Sequence, residues 1–173
     1  MMRVVAGEFK GRRLAAPSGK DVRPTSDRAR EALFSMLGDV SGAHVLDLYA
    51  GTGALAIEAL SRGAEKATMV DLHPEAARAN VITLGLEDRT QVLAQDALGF
   101  LRADGPKFDL IVCDPPYRLA ARLGPDLDQL LPPRLRPGGR IVAESSAHDP
   151  LELDLEPVRE RRYGEALLRI YRP

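Results

Sequence analysis

The chain has 173 residues, 45% of them hydrophobic and 28% charged, which suits one domain with a full core and argues against a disordered chain or two domains of normal size. No apolar run approaches the ~20 residues that cross a bilayer, the first ten residues lack the apolar core of a signal peptide, and the single cysteine, Cys113, excludes a disulfide framework and fits a reducing cytoplasm. The net charge of −1 hides an asymmetry, because residues 1–30 carry +5 and the rest −6, so the basic end either meets a polyanion or is a solvated face.

Residues 3–14 read as a short strand pair around Gly7 and Gly11. Pro17, Gly19 and Pro24 make Ala16 to Thr25 a loop. Ser26 caps a predicted helix from Asp27 to Leu37, with Ala29, Ala32, Leu33, Met36 and Leu37 facing inward and Arg28, Arg30 and Glu31 outward. From residue 43 strands and helices alternate. The predicted strands are Val45 to Tyr49, Ala67 to Val70, Gln91 to Ala94, Phe108 to Cys113 and Arg140 to Glu144. The predicted helices are Ala54 to Arg62, Pro74 to Leu84, Ala97 to Arg102 and Pro125 to Leu131. Leu151 to Val158 and Ala166 to Tyr171 alternate with period two and predict a terminal strand pair around Gly164. This order predicts a doubly wound, mostly parallel sheet whose ligands sit at the carboxyl ends of the strands.

The run Val45-Leu46-Asp47-Leu48-Tyr49-Ala50-Gly51-Thr52-Gly53-Ala54 is a strand, a tight turn and a helix start. Gly51 and Gly53 let the backbone approach a ligand, and with Ala56 the spacing formally fits a dinucleotide fingerprint. Asp47 separates the two readings. A carboxylate facing a pyrophosphate repels it, whereas one near the ammonium and sulfonium of S-adenosylmethionine attracts them. Asp71 ends the second strand, followed by Leu72, where an acid can accept from both ribose hydroxyls. Asp96, before Ala97, can accept from an adenine amine or cap the helix that follows. The candidate cofactor set is therefore Asp47, Ala50, Gly51, Thr52, Gly53, Ala54, Asp71, Leu72, Asp96 and Ala97, completed by Asp114.

Asp114-Pro115-Pro116-Tyr117 follows the apolar run Phe108 to Cys113. A base amine is a poor nucleophile because its lone pair is delocalised into the ring. The Asp114 carboxylate and the Pro115 carbonyl can hold the two amine hydrogens and free that lone pair. Pro115 and Pro116 fix φ near −65° and stiffen the loop. Tyr117 offers a face on which an extruded base stacks. Neither a metal nor a strong base is required. His44, His73 and His148 show no metal-ligand spacing, and Cys113 reads as core packing.

These residues resemble the bacterial 16S ribosomal RNA guanine-N2 methyltransferase family over nearly the whole chain. The likeness runs through Gly11-Arg12-Arg13-Leu14, Arg23-Pro24-Thr25 with Asp27-Arg28, and Arg30-Glu31-Ala32-Leu33-Phe34. It continues through Leu46 to Leu55, Glu58 to Ala64 and the Asp-Pro-Pro-Tyr block. The resemblance implies a class I methyltransferase fold with a seven-stranded sheet. It implies transfer to a guanine N2 in 16S RNA of the small ribosomal subunit or its assembly intermediate. It places Arg23, Pro24 and Thr25 over cofactor and target. The family commonly has Glu where this chain has Asp71, a shorter reach to the ribose.

On this reading residues 1–40 are a basic extension, with Lys10, Arg12, Arg13, Arg23 and Arg28 toward RNA, and residues 41–173 are the methyltransferase domain. A monomer is expected. The turn and the Asp-Pro-Pro-Tyr block are shared with DNA adenine methyltransferases, and an Asn-Pro-Pro-Tyr form with protein-glutamine methyltransferases, so those targets stay open. A non-catalytic RNA-binding assembly factor and a nicotinamide oxidoreductase are the remaining alternatives. The intact tetrapeptide opposes the first, and Asp47 opposes the second.

Overall fold

The computed structural model describes residues 2–15 and 26–173. Seven strands, β1 (His44–Leu48), β2 (Lys66–Asp71), β3 (Thr90–Ala94), β4 (Phe108–Cys113), β5 (Leu135–Ser146), β6 (Pro157–Tyr163) and β7 (Ala166–Tyr171), form one sheet in the order β3-β2-β1-β4-β5-β7-β6. The first five are parallel to one another, and β7 runs antiparallel between β5 and β6. Five helices flank them: α1 (Asp27–Leu37), α2 (Ala54–Ser61), α3 (Glu75–Leu84), α4 (Ala97–Arg102) and α5 (Tyr117–Leu130). The strand order reverses between β1 and β4. In such sheets the crevice at that reversal, beyond the carboxyl ends, is where ligands bind.

Both faces of the sheet are covered, which is why β1 and β4 are apolar almost throughout. Val45, Leu110 and Val112 pack with Leu33, Phe34, Ile57, Leu60 and Val81 from α1, α2 and α3. Leu46, Leu48 and Ile111 pack on the other face with Leu101 of α4 and Leu127 of α5. No helix among the described residues is long and apolar enough to cross a membrane.

The N-terminal arm joins the first of these cores through Met2, Val4 and Leu14. Its polar anchor is Glu58, fully buried on α2, which accepts from the Val5 and Ala6 amides at 2.8 and 3.0 Å and from Arg62 Nε at 2.7 Å. Ser61 Oγ donates to the Ala6 carbonyl and accepts from the Phe9 amide. Gly7 has φ 83°, and a side chain there would collide with the Ser61 carbonyl, so glycine is required by both backbone and contact.

Several sequence expectations are corrected. The strand pair of residues 3–14 is reduced to a single bridge, Arg3 to Arg13, because the chain between them turns to follow α2. Arg30 is not on the outer face of α1. It is fully buried, donating to the Arg3 carbonyl and to Asp27 Oδ1, both at 2.6 Å. Positions 30, 33, 34 and 37 form one helical face, which makes Arg30 part of the inward stripe. The helix expected at Pro125 starts at Tyr117, with Pro125 inside it. Gly124 marks a close approach and not a break, since a Cβ there would lie 2.5 Å from the Glu152 carbonyl. The strand expected from Leu151 begins at Pro157. Leu151 and Leu153 alternate because both enter the core beside α5, without strand pairing.

Candidate active site

The turn after β1 is built from backbone and two acids. The Ala50 amide donates to the Val70 carbonyl at 3.2 Å, the Gly53 amide to Ala50 at 2.7 Å, and the Gly51 amide to Asp71 Oδ2 at 2.8 Å. Gly51 and Gly53 have φ of 55° and 72°, and a Cβ on Gly53 would lie 2.7 Å from the Met69 sulfur. Ala54 then opens α2. The other Asp71 oxygen accepts from the His73 amide at 2.8 Å, so this half-buried carboxylate holds the end of β2 to the turn. Leu72 beside it is 63% exposed, a large apolar side chain at the rim of the crevice.

Asp47 lies beneath this turn and is 1% exposed. Its Oδ2 accepts from the Ala56 amide of α2 at 3.1 Å, and its Oδ1 has no partner among the described residues. Burial, assisted by the nearby Asp71 charge, pushes its carboxyl up to about 7. A buried acceptor of this kind is costly unless something meets it. A cationic ligand above the turn does so, and the donor set therefore fits S-adenosylmethionine, which carries a sulfonium and an ammonium. It does not fit a pyrophosphate.

Asp96 is exposed and caps α4, accepting from the Gly99 amide at 2.8 Å through one oxygen. Capping occupies part of its acceptor capacity and leaves lone pairs for an amine. Ala97, the first residue of α4, is buried.

Asp114 stands beside the turn because β1 and β4 are neighbours, with Leu48 opposite Cys113 and the Asp114 amide donating to the Leu48 carbonyl at 3.4 Å. Asp114 is half-buried, Pro115 buried and Pro116 exposed. Pro116 precedes α5, so Tyr117 is its first residue, half-buried and held by a helix. The structure thus brings Asp47, the glycine turn, Asp71, Asp96 and Asp114–Tyr117 to one end of the sheet. Arg23, Pro24 and Thr25 lie outside the described residues. Among the described residues no group of three or more His, Cys, Asp and Glu side chains is set to hold a metal. Cys113 is buried, and desolvation pushes its thiol above the ordinary range, which disfavours the thiolate.

The candidate RNA cations are less concentrated. Lys10 is exposed on the turn whose neighbour Phe9 docks at Ser61, the end of α2 remote from the glycine turn. Arg12 donates to the Thr83 carbonyl near the end of α3. Arg13 is exposed at its bridge to Arg3, and Arg28 is exposed on the first turn of α1.

Three residues of the site escape sequence reading. Tyr49 is the one non-glycine residue at positive φ, 61°, among the described residues, at the carboxyl end of β1. Such strain clusters at functional sites. Burial pushes its phenol upward, aided by Cys113 and Asp96, so it sits among the site acids as a neutral group. Glu144 is buried one residue past Ala143, the partner of Cys113, and so reaches the level of Asp114. Asn80, the chain's single asparagine, is 2% exposed. Its Nδ2 donates to the Thr52 carbonyl at 2.9 Å, and its Oδ1 accepts from the Ala15 amide at 2.7 Å. It therefore ties the arm to the glycine turn. Its isolation in an apolar helix pattern was the available signal. Asn80→Ala is expected to weaken S-adenosylhomocysteine binding about tenfold, the worth of a lost buried hydrogen bond. Calorimetry at constant pH checks this, and an unchanged affinity means the turn holds its shape without Asn80.

Comparison with known proteins finds relatives along nearly the whole chain. The family described as Conserved hypothetical protein 95 matches residues 2–172. The chain is 40% identical over 187 residues to "Putative rRNA methyltransferase YlbH" of Bacillus subtilis, covering 99% of this chain and 98% of that protein. It is 34% identical over 159 residues to "Ribosomal RNA small subunit methyltransferase D" of Haemophilus influenzae, covering 87% and 81%. Among solved structures, "Putative methyltransferase yhhF" of Escherichia coli superposes with a TM-score of 0.83 at 32% identity, over 99% of this chain and 97% of that one.

Proposed function

The chain belongs to the Conserved hypothetical protein 95 family, and from that premise we propose that it methylates small-subunit ribosomal RNA from S-adenosylmethionine, at the exocyclic N2 of a guanine. The observation that carries the chemistry is the placement of Asp114–Tyr117 beside a glycine turn over a buried, half-satisfied Asp47. The RNA target is supported by the names of the Bacillus and Haemophilus relatives. The guanine N2 is supported by the sequence resemblance and by the fit of an amine with two hydrogens to two fixed acceptors.

When bound, S-adenosylmethionine supplies an electrophilic methyl group on a sulfonium. The residues that would hold it are Asp47 and Ala50–Ala54 at its charged end, Asp71 at its ribose, and Leu72, Asp96 and Ala97 at its adenine. Asp114 and the Pro115 carbonyl accept the two N2 hydrogens and turn the nitrogen lone pair toward the methyl group. Tyr117 stacks on the base, an interaction worth roughly 1–3 kcal/mol, and α5 fixes its backbone. The new N–C bond would form at the expense of the S–CH3 bond, its electron pair remaining on the sulfur of S-adenosylhomocysteine, and the proton of the cationic nitrogen would pass to Asp114 or to water. Holding the amine in line is the main rate effect, and the rigid proline pair serves it.

The test uses radiolabelled cofactor with small subunits from a strain lacking this gene, and with naked 16S RNA. Label recovered on guanine N2 is expected. Label on adenine N6 or on a protein glutamine redirects the target. Cofactor binding without transfer to any of these overturns the enzymatic reading.

A further inference from the structure

A second cationic surface lies at the opposite end of the sheet from Asp114. Arg140, Arg159 and Arg172 converge on a cleft of about 150 Å³ floored by Met36, Leu37 and Ile170. Arg140 pairs in register with Leu110, four residues before Asp114, so about 13 Å of strand separate the two levels. Arg140 donates to the Leu37 and Asp39 carbonyls and thereby closes the end of α1. The Arg159 and Arg172 side chains have no hydrogen bond or ion pair among the described residues, and both residues are exposed. Asp39, whose charge also acts on Arg140, accepts from the amide and hydroxyl of Ser41 through Oδ1. Arg140 and Arg172 repel one another, a repulsion that the Asp39 charge offsets only in part and that a bound anion relieves further.

The same charge continues along β6, the edge strand. Arg159 and Arg161 are opposite Ile170 and Leu168, two residues apart on β7, so they share one face about 7 Å apart. Arg162 follows them, and all three are exposed. The one acid of the strand's centre, Glu160, is already paired with Arg169 at 2.6 Å. The strand ends at Tyr163, opposite Ala166, which pairs with Ser146 at the carboxyl end of β5. The arginines therefore run from the cleft toward the catalytic end.

We propose that this cleft and the β6 edge hold the phosphate backbone of the RNA whose target base enters at Asp114. The site rests on the RNA reading above. Phosphate is the matching ligand because guanidiniums bind it bidentately and an edge strand lets a chain lie along it.

The test is the salt dependence of binding to a labelled single-stranded RNA of arbitrary sequence, and to small subunits. Arg159→Ala with Arg172→Ala, both exposed, is compared with wild type, and Arg161→Glu serves as a second variant. The double variant is expected to lower the slope of log affinity against log salt by about 1.4, at 0.7 per lost phosphate contact. Affinity for S-adenosylhomocysteine stays unchanged. An unchanged slope in both variants overturns the cleft. Loss of binding to subunits but not to RNA overturns it in favour of an acidic protein surface. Wild-type binding to RNA without subunit methylation overturns the functional reading while leaving the cleft to be judged by its slope.

Discussion

Asp114→Ala is expected to lower single-turnover methyl transfer by roughly 10³-fold, the scale of losing an oriented acceptor that also takes the proton. S-adenosylhomocysteine binding should change little, because Asp71, Asp47 and backbone groups hold the turn. Asp114→Asn keeps one acceptor oxygen but presents an amide N–H to the target amine. It should retain more activity than alanine and still fall well below wild type. The readout is transfer to small subunits measured beside calorimetric binding of the product cofactor. Loss of binding and transfer together makes Asp114 a structural or cofactor residue and removes it from the chemistry.

Most of the central sheet was legible because burial on both faces leaves a plain signal. Val45–Leu48 and Phe108–Cys113 are continuous apolar runs, and each is followed by a chemically distinctive turn. The candidate site was legible for the same reason, since strand order alone sets the ends of β1, β2, β3 and β4 side by side. Features that depend on one element meeting another were not. Arg30 reads as a surface cation until the arm offers it the Arg3 carbonyl. Pro125 reads as the start of a helix, whereas the helix begins at Tyr117 and Gly124 within it meets Glu152 closely. Leu151 and Leu153 have strand periodicity but spend it on core packing. Asn80 carries no local motif, and the family-like runs that contain Tyr49 and Glu58 assign them no role; their roles come from the docked arm and from backbone strain. The arginine cleft is assembled from β5, β6, β7 and the end of α1, so no window of sequence contains it.

Asp47 makes the second large prediction, a coupling of pH to both stability and cofactor affinity. Its carboxyl titrates near 3.8 when unperturbed and is pushed up to about 7 in the folded chain, chiefly by desolvation. Between these values the folded state keeps a proton that the unfolded state has released. The free protein is therefore expected to lose stability as pH rises from about 4 to about 7, by on the order of 4 kcal/mol. A cationic cofactor favours the carboxylate, so binding should release a proton and tighten up to about tenfold per pH unit below 7, levelling above it. Calorimetry in buffers of different ionisation enthalpy counts that proton, and urea unfolding at pH 5 and pH 8 measures the stability slope. Asp47→Asn retains an oxygen for the Ala56 amide but cannot charge. It should flatten the stability slope and weaken S-adenosylmethionine binding at pH 8 by about 100-fold. The neutral analogue should also lose the pH dependence of binding. A stability slope unchanged by the substitution would place the titration elsewhere. Unchanged affinity would mean that the unpartnered oxygen beneath the turn does not face the cofactor's charge. The free protein meets the cost of this buried acid by holding a proton, and a cation above the glycine turn meets it instead by favouring the carboxylate.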